Sequence, residues 1–94
     1  EWYWRPAAIA SYSAGRLAGA HASVAWYATL SEMGMVVVSS TLAVGAIGRA
    51  LDVDGRPTGD GGASLERAFP RFADDLAWWA AAAREQRARA KPPY

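Results

Sequence analysis

The chain has 94 residues, a formal net charge of +1 and a hydrophobic content of 52%, which fits one small domain and excludes general disorder. The near-neutral charge argues against a nucleic-acid-binding surface. There is no cysteine, which excludes disulfides and thiolate metal sites, and one histidine without a cluster of carboxylates does not make a metal centre.

The amino-terminal residues carry no targeting signal. They lack the basic and apolar segments of a signal peptide, and no apolar run approaches the roughly 20 residues that cross a bilayer. We therefore expect a cytoplasmic protein with no membrane partner. The aromatic segment 1–5 is predicted to be the end of a preceding helix that Pro6 terminates, and we expect the chain to be the later part of a longer protein.

The first half of the chain predicts a strand, a loop, a helix and a second strand. Residues 7–12 are apolar on both faces, as in a strand that is covered on two sides. A small, polar, glycine-containing loop follows at 13–19. Residues 20–33 have apolar side chains at helical spacing, among them Val24 and Trp26, and Gly34 is a typical helix stop. Residues 35–44 are rich in β-branched side chains and predict a second buried strand.

The second half predicts a helical turn, a loop and a long helix. The turn falls within 45–50, and the glycine-rich segment 51–62 is predicted to be a loop. Residues 64–88 carry an apolar stripe with alternating spacings of four and three. Pro70 interrupts that stripe and predicts a kink or a second helix start. Asp74 and Asp75 are predicted to face water, and residues 91–94 to form a frayed tail.

The resulting order is β-α-β-α, which predicts an α/β fold with parallel strands. Parallel sheets occur almost only as covered, multi-stranded sheets. Two strands alone leave an unpaired edge and a bare apolar face, so we expect this architecture to be incomplete.

Three segments carry a more specific pattern. Residues 11–13 read Ser-Tyr-Ser and are followed by Ala-Gly-Ala-His-Ala at 18–22; residues 52–58 read Asp-Val-Asp-Gly-Arg-Pro-Thr; residues 76–79 read Leu-Ala-Trp-Trp. In type and order, these segments resemble the NADPH-dependent FMN reductase family of flavodoxin-like flavin and quinone reductases. The resemblance covers essentially the whole chain. It implies that residues 1–94 are the C-terminal half of a single flavodoxin-like domain, the β-α-β-α portion of a doubly wound parallel sheet truncated at its N-terminus.

The chain departs from the family pattern in two positions and lacks two of its segments. Ala18 stands where the family has glycine, and His21 stands where it has arginine. The family's FMN phosphate loop, of the type Gly-Ser-x-Arg-x-x-Ser, has no counterpart in this sequence, and neither has its Pro-Glu-Tyr-Asn segment. By resemblance, the chain therefore carries half of a flavin site.

The resemblance implies FMN as the cofactor and NAD(P)H as the co-substrate, with hydride transfer to the flavin and release of electrons to a flavin or quinone acceptor. It places the segment 11–19 beside the isoalloxazine ring, where backbone N–H groups would stabilise the charge of the reduced flavin. The residues implied to contact FMN are Ser11, Tyr12, Ser13, Gly15 and Arg16. Because the cofactor carries the chemistry, no catalytic side chain and no metal ligand is predicted.

Several of these residues have a plainer interpretation. Ser11 and Ser13 are typical of hydroxyls that satisfy turn amides. Arg16 is more typical of a solvated surface arginine than of a contact to the NADPH phosphate. His21 is interpreted as a helix-face residue hydrogen-bonded to the backbone. The Asp-x-Asp-Gly of 52–55 lacks the later ligands of a calcium loop and favours a turn.

The tryptophans bear on the partners of the chain. Trp79 fits the apolar stripe of the last helix, whereas Trp78 points about 100° away from it. The family commonly forms homodimers, and Trp78 is predicted to cover such a homo-oligomer surface. The alternative to a reductase is a non-enzymatic α/β interaction module or an inactive fragment, in which the aromatic N-terminus and Trp78 dock a partner.

Overall fold

The computed structural model describes residues 2–94, and these form a two-stranded parallel sheet with three helices. In chain order the elements are β1 (Pro6–Tyr12), α1 (Ala20–Glu32), β2 (Val36–Val44), α2 (Ile47–Ala50) and α3 (Gly59–Arg89). The predicted α/β class, the parallel strands and the helical turn between β2 and the last helix are confirmed. The first three elements end within one residue of their predicted bounds.

The stop signal at the end of α1 acts as predicted. Gly34 has a φ of 76°, a conformation that glycine adopts without a Cβ penalty. Its N–H donates to the Ser31 carbonyl at 2.9 Å, and the Met35 N–H donates to the Leu30 carbonyl at 3.0 Å. This pair of bonds is a Schellman motif, which satisfies the last carbonyls of the helix and turns the chain into β2.

The core is small and lies on the sheet. Helices α1 and α3 each pack against the strands but have almost no contact with each other, which places them on opposite faces. The buried apolar residues are Ile9, Ala18, Val38, Leu42 and Ala50. The prediction of strands covered on two sides is therefore met only in part, because most strand residues stay half-buried or exposed.

The apolar positions of α1 are less buried than their spacing predicts. No residue of α1 is buried, and Val24 and Trp26 are 70% and 53% exposed. The side that approaches the sheet carries the half-buried Tyr27 and Leu30. Of the apolar residues at helical spacing, Tyr27 and Leu30 are thus partly covered as predicted, whereas Val24 and Trp26 are not.

A bulge in β2 changes the register of the sheet. Ala7 pairs with Val37, whereas Ile9 pairs with Thr41, so one residue of β1 stands opposite three of β2. Within this unpaired segment the Ser40 N–H donates to Asp75 Oδ2 at 3.0 Å. The prediction that Asp75 faces water is therefore wrong, because its carboxylate satisfies a backbone donor that the bulge leaves unpaired.

Helix α3 begins earlier than predicted and runs through Pro70 without a second start. Its first turn contains the glycines that predicted a loop. A Cβ on Gly62 would lie 2.7 Å from the Pro57 carbonyl carbon and 2.9 Å from the Ala50 carbonyl oxygen. Gly61 and Gly62 thus lie close to the backbone before the helix, whereas Gly59 has a φ of 60°, a left-handed conformation that favours glycine.

The two ends of the described chain meet. Residues 2–5 form a turn and not the end of a helix: the Arg5 N–H donates to the Trp2 carbonyl, and the Trp4 N–H donates to the Gly34 carbonyl at 2.8 Å. The rings of Tyr3 and Trp4 lie 5.5 and 5.2 Å from the ring of Tyr94. The predicted helix end and the predicted frayed tail are therefore wrong, since aromatic contacts join these segments; Glu1 lies outside the described residues.

Candidate functional site

The carboxyl ends of the two strands are joined by backbone hydrogen bonds. The Ser13 N–H donates to the Val44 carbonyl at 3.1 Å, which extends the sheet by one step. Beyond it, the Ala46 N–H donates to the Gly15 carbonyl at 2.7 Å and the Ile47 N–H donates to the Ser13 carbonyl at 3.0 Å. The loop 13–19 after β1 is thus held in place by the short connection between β2 and α2.

Close backbone approach explains two glycines at this edge. A Cβ on Gly45 would lie 2.9 Å from the Arg16 carbonyl oxygen, and one on Gly19 would lie 3.1 Å from the Tyr12 carbonyl oxygen. Gly19 also has a φ of 74°, and the preceding Ala18 has a φ of 53°. The family's glycine at position 18 suits this left-handed conformation better than alanine does, so the departure noted in the sequence has a local conformational cost.

The tip of the loop presents unpartnered backbone donors. Ala14, Gly15 and Arg16 are exposed, and within residues 2–94 their N–H groups donate to no carbonyl or side chain. A Cβ on Gly15 would meet nothing within 4 Å. Successive free N–H groups at the carboxyl edge of parallel strands are suited to an acceptor-rich or anionic ligand.

The predicted side chains have different environments. The Ser13 hydroxyl donates to the Gly15 carbonyl at 2.9 Å, so it stabilises the loop and does not satisfy a turn amide. Ser11 is half-buried, and Tyr12 is 71% exposed. Arg16 is exposed, as a solvated arginine would be.

A cavity of about 610 Å³ lies beside the end of β1. Ser11 and Tyr12 line it, whereas Ser13, Gly15 and Arg16 do not. The remaining walls are mostly apolar and come from β2, α2, the 51–57 segment and α3: Leu42, Val44, Ile47, Leu51, Pro57, Leu65 and Phe69. The structure therefore divides the predicted residues between the wall of a cavity and an exposed loop next to it.

The sequence does not single out these apolar residues as cavity-lining positions. Leu65 and Phe69 belong to the stripe that predicted a core face of the last helix, and Phe69 is 52% exposed. No local signal distinguishes a stripe that is covered from one that faces a cavity, because both have helical spacing. The distinction depends on how far the sheet reaches beneath the helix.

The 52–55 turn is confirmed. Asp52 Oδ1 accepts hydrogen bonds from the N–H groups of Asp54 and Arg56, both at 2.9 Å. Gly55 has a φ of 77°, as expected at the left-handed position of such a turn. Among residues 2–94 no three metal-ligating side chains lie close enough together to hold an ion.

His21 differs from its predicted environment, whereas the two adjacent tryptophans follow the predicted order of exposure. His21 is exposed, and its imidazole forms no hydrogen bond with residues 2–94, so the predicted backbone bond is wrong. Trp78 is 65% exposed and Trp79 is 41% exposed. Trp79 is thus the more covered of the two, as its place on the stripe predicts.

None of the helices within residues 2–94 is long and apolar enough to span a membrane. Comparison of the chain with protein-family models, curated proteins and solved structures finds no match.

Proposed function

We propose that the chain is the C-terminal part of a flavodoxin-like, NAD(P)H-dependent FMN reductase that reduces a flavin or quinone-type acceptor. The observation that carries this proposal is the joined edge of the sheet, where two parallel strands end in interlocked loops and the 13–19 loop offers free N–H donors. Open α/β sheets bind their ligands in this position.

The residues present fit the ring side of FMN. The isoalloxazine ring is planar and largely apolar with carbonyl oxygens at one edge, and the site combines an apolar cavity of about 610 Å³ with N–H donors next to it. When bound, FMN would supply the two-electron chemistry. The chain's own contribution is to position the ring with Ser11 and Tyr12 and to donate hydrogen bonds from the 14–16 backbone, which favours negative charge on the ring.

The exposed surface supports a larger domain. The chain has 6902 Å² of accessible surface, against roughly 5,200 Å² for a compact monomer of this size. The free edge of β1 and the exposed Tyr12 and Leu17, at 71% and 72%, contribute to the excess. The proposal requires further parallel strands and a phosphate-binding loop from a segment outside this sequence.

Gly15 provides the sharpest test. Because a Cβ there meets no atom of the chain, Gly15→Val should leave folding unchanged while obstructing close approach of the ring. In the FMN reductase that the proposal assumes, produced together with its upstream coding region, we expect FMN affinity to fall at least about tenfold, since the added side chain keeps the ring edge beyond hydrogen-bonding distance of the loop N–H groups. Fluorescence titration with FMN measures the affinity.

Gly48→Val is the matched control, since Gly48 is equally open and lies outside the 13–19 loop. It should leave FMN affinity unchanged. Unchanged affinity in Gly15→Val, or a protein that carries no flavin when the upstream region is present, would contradict the proposal.

One observation favours the alternative of a non-enzymatic interaction module. Trp2, Tyr3 and Trp78 are 57%, 52% and 65% exposed, and exposed aromatic surface is typical of docking sites. In that case Trp78→Ser would abolish partner capture, and flavin would be absent from the protein in every form. Yellow protein whose reductase activity survives Trp78→Ser would instead support the reductase.

A further inference from the structure

A second cavity lies at the opposite end of the sheet from the proposed flavin site. Its volume is about 340 Å³, within the range of about 300–1,000 Å³ that small-molecule pockets occupy. Pro6 and Val36, the first residues of the two strands, line it. It is therefore separated from the carboxyl-end loops by the full length of the sheet.

The walls of this cavity are apolar, and three further segments join the two strand starts in forming them. Trp79 and Ala83 come from the carboxyl-terminal half of α3, Pro92 comes from the tail, and Trp4 comes from the first turn of the chain. The aromatic contacts between Trp4 and Tyr94 hold the first turn and the tail together on one side of it. An apolar molecule would be covered here by side chains whose positions are already fixed.

The two charged side chains at the cavity are cations, and they contribute mainly their aliphatic stems to its apolar lining. Arg87 and Lys91 line it, and no carboxylate does. Arg87 Nη1 donates to the Trp4 carbonyl at 3.3 Å, which orients the guanidinium and leaves its other N–H groups available. Gln86 is the one side chain of the lining that can also accept a hydrogen bond through its carbonyl oxygen.

The indole ring of Trp4 lines the cavity, but its N–H group does not face it. Its indole Nε1–H is buried, and it is the one buried side-chain N or O atom within residues 2–94 that has no hydrogen-bond partner. A buried donor without an acceptor is costly. Because the Nε1 atom has almost no accessible surface, a molecule in the cavity would contact the Trp4 ring and not its N–H group.

We propose that this cavity binds a small molecule with an apolar body and a carboxylate head. The apolar walls match the body, and two cations match the charge of the head. A carboxylate is acceptor-only and offers several lone pairs, which suits the donors of Arg87 and Lys91. The proposal does not depend on the proposed reductase activity, because no residue of the cavity belongs to the carboxyl-end loops.

Octanoate and octan-1-ol, which share an eight-carbon body, test the proposal on the ¹⁵N-labelled full chain. We expect octanoate to shift the Trp4 indole N–H resonance, assigned by its loss in Trp4→Phe, while the resonance of the exposed Trp78 stays in place. Octan-1-ol should bind about tenfold more weakly, because charge-assisted hydrogen bonds to the head are lost.

Substitutions test the recognition of the carboxylate head and of the apolar body separately. Arg87→Gln should weaken octanoate about tenfold without weakening octan-1-ol, with the exposed Arg84→Gln as the matched control. If Arg87→Gln unfolds the chain through loss of the hydrogen bond to Trp4, Lys91→Gln tests the contribution of a cation to octanoate binding instead. Ala83→Leu, which fills the cavity, should abolish binding of both compounds, whereas Ala80→Leu on the exposed side of α3 should not.

Three results would overturn the proposal: equal affinities for octanoate and octan-1-ol, no change in either affinity in Ala83→Leu, or a Trp4 indole resonance that does not respond to octanoate. None of them would affect FMN binding at the carboxyl-end loops. Failure here is therefore distinguishable from failure of the proposed reductase function.

Discussion

Asp75 shows how one carboxylate supports an irregular sheet. It accepts the Ser40 N–H within the segment of β2 that the bulge leaves unpaired. Asp75→Ala would leave that half-buried donor without a partner, and we expect the free energy of unfolding in urea to fall by about 1–2 kcal/mol. The exposed neighbour Asp74, replaced by alanine, should change it by less than about 0.5 kcal/mol. Equal losses in the two variants would show that the bond contributes nothing.

Asp52 organises the turn before α3 in a similar way. Its Oδ1 accepts from two backbone N–H groups, those of Asp54 and Arg56. Asp52→Ala is expected to lower the free energy of unfolding by about 1 kcal/mol, because both bonds lie at the surface where water competes. Asp52→Asn keeps the acceptor oxygen and should retain most of the stability. Thermal denaturation measures this difference, and an asparagine variant as unstable as the alanine variant would contradict it.

At the level of elements, the first turn of α3 depends on glycine for space. The helix passes so close to the segment before it that a Cβ on Gly62 would overlap the backbone of Pro57 and Ala50. Gly62→Ala should therefore displace α3 and lower the free energy of unfolding by about 2 kcal/mol or more. Backbone atoms cannot rotate out of the way as a side-chain tip can.

Gly48 provides the comparison in α2, where a Cβ would meet nothing within 4 Å. Gly48→Ala should leave stability unchanged or raise it by up to about 1 kcal/mol, because alanine restricts the unfolded chain. Urea denaturation of both variants gives the contrast. If Gly62→Ala changed stability no more than Gly48→Ala does, the close approach of α3 to the preceding backbone would not explain the glycine at position 62.

The whole molecule is extended for its size. Its radius of gyration is 15.5 Å, against about 12 Å for a compact domain of this length. The 31 residues of α3 span about 46 Å, which accounts for the longest dimension of 47 Å. A helix that overhangs a two-stranded sheet leaves apolar side chains such as Trp78 uncovered.

The proposed homo-oligomer surface on α3 follows from this overhang. We expect the chain to self-associate at micromolar concentrations through Trp78, and Trp78→Glu to shift it to monomer, because a charge in an apolar interface is costly to bury. Sedimentation velocity measures the shift. Trp26→Glu is the control on the opposite helix, where the side chain is 53% exposed. A monomeric parent chain, or the same shift in both variants, would contradict this assignment.

Only the local part of the candidate site, the 13–19 loop, could be predicted from the sequence. The 13–19 loop was identified because a strand, a small polar segment and a helix follow one another in sequence. The cavity beside it was not, since Leu51 and Leu65 reach it from segments far along the chain. Apolar residues at helical spacing predict burial, and only the extent of the sheet decides which of them remain open.

The sequence by itself determined the order of the elements, the parallel α/β class, the stop at Gly34 and the turn at 52–55, because periodicity, β-branched runs and turn residues act over a few positions. Only the tertiary structure decided three contacts. Asp75 accepts a hydrogen bond from a bulge residue 35 positions away. Gly62 leaves space for the close approach of a helix, and Tyr94 packs on Trp4. Each of these depends on which distant backbone comes within contact distance. That proximity is a property of the folded chain as a whole.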